Sequence, residues 1–197
     1  MKFPVAVRAT HMFSMQLRAF HASTSGLAAL EFALILPLLL TLFFGVVEGS
    51  DALSKSRKVA LAVNTLADLT AQETEILASE ADDLFDGIEQ IIGNGGDSAT
   101  IRLLSVVLNE DDDIVVHWSR DNSGAEPYTP GSAYNDLPNN ALLDPNASIV
   151  VAEIEFAYTS NLTHLFVSSI NFDRQSTRWP RRSTRVQLCT SPGNCTS

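Results

Sequence analysis

Residues Leu27–Val47 read LAALEFALILPLLLTLFFGVV, and this run decides the architecture. Fourteen of its 21 residues are Leu, Ile, Phe or Val. As a helix rising about 1.5 Å per residue it is roughly 31 Å long, close to the hydrocarbon thickness of a bilayer. Those side chains favour insertion by about 4 to 8 kcal/mol, against about 2.5 to 3.5 kcal/mol for a carboxylate at the bilayer centre. The run therefore inserts despite Glu31. Pro37 is predicted to kink the helix without ending it. A cleaved secretory signal fits less well. Its apolar region is typically about 7 to 15 residues, and Glu48-Gly49-Ser50-Asp51 is a poor cleavage site.

Charge on either side supports an anchor. The chain has 197 residues and a net charge of −10. Residues 1–26 carry +3, residues 27–173 carry −18 and residues 174–197 carry +5. A basic head before an apolar run keeps the head cytoplasmic and places the acidic body outside, so the layout is that of a single-pass inner-membrane protein. The acidic balance argues against nucleic-acid binding, which needs a basic face. A hydrophobic fraction of 45% excludes wholesale disorder, and two cysteines exclude a disulfide-stapled miniprotein.

Glu31 is the only ionisable residue between Arg18 and Glu48 apart from His21. One reading is a carboxylate near the interface, tolerated by snorkelling or protonation. The other comes from its spacing. If a peptidase cuts after Gly26, Leu27 gains a positive amine and Glu31 becomes the fifth residue. That carboxylate then pairs with the amine of a neighbouring helix and fixes the stagger between subunits.

Gly26-Leu27-Ala28-Ala29-Leu30-Glu31-Phe32 resembles the processing site of type IV prepilin-like proteins. The wider stretch, with Pro37 and the exit Gly45-Val46-Val47-Glu48, resembles the TadE-like pseudopilins of the Tad (tight adherence, Flp) pilus system. Val150–Thr159 and Arg178-Trp179-Pro180-Arg181 are similar to later elements of that family. The resemblance implies cleavage between Gly26 and Leu27 by a membrane prepilin peptidase, with Glu31 and Phe32 as recognition and assembly residues. It implies other Tad pilins or pseudopilins as partners, the inner membrane as location, and a role in adhesion or secretion. No cofactor, metal or small-molecule substrate is implied. The other class of function is an unprocessed, membrane-anchored periplasmic adaptor or binding protein.

The body reads as α+β: a long helix, then antiparallel strands in a pilin-like head. The expected divisions are a leader at 1–26, a transmembrane helix at 27–47, an amphipathic helix at 48–96, a β head at 97–188 and a tail at 189–197. Apolar residues recur in threes and fours from Val59 to Ile91, without proline, so one amphipathic helix is expected from about Ala52 to Ile92. It either covers its own sheet or packs a heptad seam on a partner. Gly93-Asn94-Gly95-Gly96 ends it; a phosphate loop would need a following Lys-Ser/Thr. Ile101–Leu108 and Ile114–Ser119 form a hairpin across an acidic turn at 109–113, which lacks the spacing of a calcium loop. Residues 120–147 form a long loop, Ser148–Thr159 a strand with alternating faces, and Thr184–Cys189 an edge strand.

Catalytic signatures are missing from the sequence. His11, His21, His117 and His164 have no local metal-ligand partner, and there is no Gly-x-Ser-x-Gly elbow. Cys189 and Cys195 flank a Pro-Gly turn and are expected to form a small disulfide outside the cytoplasm. Arg174, Arg178, Arg181, Arg182 and Arg185 form a basic cluster. It is either solvated or docked on the chain's own acidic helix or on lipid headgroups.

Overall fold

The computed structural model describes residues 25–93, 98–137, 144–159 and 169–195. The leader up to residue 24, His164 and the Asn94-Gly95-Gly96 stretch lie outside them. Two compact units meet between Val47 and Glu48. Helix α1 (Ser25–Ala71) passes from one to the other. In the first unit its apolar side chains are all exposed, from Leu36 at 38% to Leu34 at 72%. Pro37 stands inside the helix, which continues through it. The Thr41 hydroxyl is satisfied within the helix, donating to the carbonyl oxygens of Pro37 and Leu38 at 3.0 and 2.9 Å.

In the second unit the elements after α1 are β1 (Glu75–Leu77), α2 (Ala78–Ile92), β2 (Ser98–Leu108), β3 (Ile114–Asp121), β4 (Ser148–Tyr158), β5 (Ile170–Arg178), β6 (Gln187–Ser191) and β7 (Asn194–Cys195). The architecture is α+β, as the sequence predicts. The single amphipathic helix over 52–92 is corrected: it is two helices with a strand between them. The apolar period lapses at Gln72-Glu73, where the next core position would fall. Strands from late in the chain capture this gap. Arg181 N–H donates to Ala71 O at 2.8 Å, and β1 pairs in parallel with β6, Ile76 opposite Leu188. Tertiary pairing outweighs the helical preference of a short polar stretch. Glu80 then starts α2 by accepting the Leu77 N–H at 2.9 Å, covering a donor that the first turn would leave bare. At its end Gly93 has φ +82°, a left-handed position suited to glycine, and its N–H bonds to Glu89 O. The buried face of α2 is Ala81, Phe85, Ile88 and Ile92, with Leu84 half-buried against the same core, while Ile91 is exposed.

The main sheet has the order β3-β2-β4-β5, antiparallel throughout. The predicted hairpin is present, and the long strand runs Ser148–Tyr158. Strand β5 was not expected. The predicted edge strand at 184–189 lies instead in a second sheet, β1-β6-β7, so the division at 188/189 cuts through β6. One sheet face packs on the helices: Ile101, Leu103, Trp118, Ala152, Ile154 and Phe156 meet Val59, Val63, Leu66, Phe85 and Ile88. The other face is covered by the loop after β3. Tyr134 and Leu137 close over Leu104, Val106, Val116, Ile149 and Val151. Ser105 stands opposite Trp118 and Val106 opposite Val116, so His117 is the extra residue of a bulge.

Candidate functional site

The residues singled out for processing and assembly lie on the first turns of α1. Gly26, Leu27, Glu31 and Phe32 are exposed, and a Cβ added at Gly26 would touch nothing within 4 Å. Leu27 and Glu31 are four positions apart, hence on one helix face about 6 Å apart along the axis. Among the described residues, Glu31 has no hydrogen-bond or ion-pair partner. Gly26–Ala71 is the one described helix long and apolar enough to cross a membrane, and its most apolar window is unburied.

The head is locked onto the second half of α1 through polar contacts. Tyr158 hydroxyl donates to Asp51 Oδ2 at 2.8 Å and to Glu48 Oε1 at 3.3 Å. Burial, then Asp51 and Glu48, holds this phenol well above its usual range, so it remains a donor. Lys55 Nζ donates to Gly93 O at 3.0 Å and lies over the Phe156 ring at 5.7 Å. A cation thereby meets the carbonyl end of α2, where the helix dipole is negative. Three of the clustered arginines dock on α1: Arg174 on Ser56 at 3.2 Å, Arg178 on Asn64 at 3.0 Å, and Arg181 on the Asp68 carboxylate. Of the open readings for the cluster, contact with the chain's own helix holds for these three. Arg185 reaches Pro145 O at 3.4 Å.

On the outer sheet face, Glu153 organises a shallow cavity of about 310 Å³. It accepts from Tyr128 at 2.9 Å and from Tyr134 at 2.5 Å, and Arg102 is 3.7 Å away. Gln175 donates to the Tyr134 oxygen at 2.6 Å, and Arg102 pairs with Glu155 at 2.5 Å. Burial and then Glu153 push Tyr128 up to about 12 and raise Tyr134 further. Both phenols stay protonated and serve as donors to a carboxylate. These polar groups face one another rather than open space, so the cluster ties loop to sheet. Sequence reasoning missed it, because a tyrosine in a Pro/Gly-rich loop does not reveal which strand it covers.

Other titratable groups serve the fold. Arg120 makes a two-pronged bridge to Asp82, both contacts at 2.8 Å, joining β3 to α2 and holding Asp82 below the usual carboxylate range. The acidic turn is arranged by Asn109, whose Oδ1 accepts from Asp111 N–H and Asp113 N–H. Among the described residues, His117 belongs to no cluster of metal-ligating groups. Burial, then Arg185, lowers its affinity for a proton. Cys189 and Cys195 are joined by a disulfide across the β6–β7 hairpin, whose turn uses Gly193 at φ +78°. Glu75 lies beside both sulfurs, but with the two joined in a disulfide there is no thiolate to ligate a metal.

Residues 26–68 match the family model for TadE-like protein. The match starts on Gly26, takes in Glu31 and Pro37, and ends within the buried part of α1. It does not extend to the late strand or to the Arg178-Trp179-Pro180-Arg181 run. No curated protein and no solved structure matches the chain.

Proposed function

We propose that this chain is a minor pseudopilin, a non-catalytic component of Tad (Flp) pilus assembly anchored in the bacterial inner membrane. The observation that carries this reading is the TadE-like match opening on Gly26, at the junction of a basic leader and an apolar helix. In this reading a prepilin peptidase cuts between Gly26 and Leu27. The leader is cytoplasmic and the head periplasmic. The apolar half of α1 packs laterally against other pilin helices, where Glu31 meets the new amine of a neighbour. In lipid an unpaired carboxylate is costly, so the pair favours association and one axial register. The head offers contacts, not chemistry.

The test is N-terminal sequencing of the protein purified from native membranes that contain an active prepilin peptidase. A start at Leu27 is expected. A start at Met1 would favour the unprocessed adaptor, and a start near residue 50 would mean that the apolar run was a signal peptide. Glu31→Ala is expected to leave insertion intact and to abolish piliation; normal piliation in that variant would defeat the proposed pairing.

A further inference from the structure

Two surfaces of the second unit are unlike the rest of it. The first is a stripe on α1. Leu53, Arg57 and Leu61 are spaced by four and share one face, with Lys58 beside them. Leu53 is 53% exposed and Leu61 61%, and among the described residues neither Arg57 nor Lys58 has an ion-pair partner. The opposite face of these turns, Val59, Ala62 and Val63, holds the core, so the stripe is not needed for folding. The second surface is a groove of about 590 Å³ where α1 ends and α2 begins. Leu69, Leu77 and Leu84 give it an apolar floor, and Glu73, Glu80 and Asp83 an acidic rim. Arg182 is the one basic residue in its lining.

We infer that the basic stripe Leu53–Arg57–Lys58–Leu61 of one copy docks in the acidic groove of a second copy of this chain. The two surfaces match: leucines meet an apolar floor, and two cations meet unneutralised carboxylates. Desolvating charge is tolerable only when opposite charge meets it, and this match also rejects docking of like on like. Stripe and groove are different surfaces, so the contact is head-to-tail and leaves one of each free for another copy. Arg57 and the end of α1 at Ala71 are 14 positions apart, about 21 Å along the helix. Joined copies therefore sit at different heights, as in a stepped assembly. The inference rests on the assembly reading for its setting, but not on processing or on Glu31.

The test uses the full chain in detergent, with protein mass measured by light scattering after subtraction of the micelle. The expected result is mass that grows with protein concentration at low salt and returns to the protomer at high salt. Arg57→Glu with Lys58→Glu, and separately Glu73→Arg with Asp83→Arg, each lose the larger species. An equimolar mixture of the two variants regains them, because each reversed surface meets its complement. Unchanged far-ultraviolet circular dichroism and buried Trp118 fluorescence establish that both variants fold. The inference is overturned if the wild-type chain stays a protomer at every concentration, if either reversal leaves association unchanged, or if folded variants fail to associate when mixed. Binding of the stripe to anionic vesicles without self-association would give it to lipid and also overturn it. Glu31→Ala keeps this contact while testing the pilus reading, so the two failures are separable.

Discussion

Residues 27–47 and 59–71 belong to one helix, are both rich in apolar side chains, and meet different surroundings. Between 27 and 47 the apolar side chains point all round and every one is exposed. Between 59 and 71 they form a stripe: Val59, Ala62, Val63, Leu66, Ala67 and Ala71 are buried, while Leu61 and Leu69 are not. The first pattern suits a solvent that is apolar on every side, the second a protein core on one side and water on the other. Hydrophobicity alone does not separate the two; its angular distribution does.

Substitution sharpens the contrast. Leu66→Ala removes a fully buried side chain facing the sheet and is expected to lower head stability by about 3 to 5 kcal/mol. Leu34→Ala is expected to change it by less than about 0.5 kcal/mol. Urea unfolding in detergent, followed by the fluorescence of Trp118, reads both; equal losses would break the comparison. Leu39→Arg reverses the contrast. It is expected to cost about 3 kcal/mol of insertion, seen as protein lost from the carbonate-resistant membrane fraction, whereas Leu61→Arg leaves that fraction unchanged.

Smaller effects probe how the head grips the water-facing half. Lys55→Met removes the cation at the carbonyl end of α2 and is expected to cost about 1 kcal/mol in the same unfolding assay, with no change in membrane retention. The smallest effect is a slope with pH. His117 is held neutral, so its folded pKa lies below the unfolded value of about 6.5. The unfolded chain then binds the proton more readily. Stability is intact above about 6.5 and declines as pH falls toward the lower folded value. His117→Gln should flatten that part of the profile; an unchanged slope would assign it to other groups.

The anchor, the α+β order, the first hairpin and strand β4 were legible because each is a local pattern, an apolar run or an alternation. Strand β5 was not. In Ile170–Arg178 most side chains are polar, so no apolar alternation marks it, and its place is set by pairing along Val150–Tyr158 of β4. Strand β1 was hidden inside a helical period because three residues carry too little signal and their partner lies more than a hundred positions later. On the surface, the spacing of Gly26 and Glu31 singles them out in the sequence, and the matched stretch covers both. The contacts of Lys55, Tyr158 and Glu153 were not legible, since each depends on which loop or helix end folds over it.

The parallel pairing of Glu75–Leu77 with Gln187–Cys189 also sets a schedule. Ribosomes deliver the chain from its N-terminus, so β1 emerges more than a hundred residues ahead of its partner. The turn between the helices cannot take its final form until that partner is made, and contacts so distant in sequence form slowly. A chain cut short before residue 187 would keep a complete anchor yet leave Ile76 without its cover. Completion of the head thus waits on residues more than a hundred positions downstream of the turn they close.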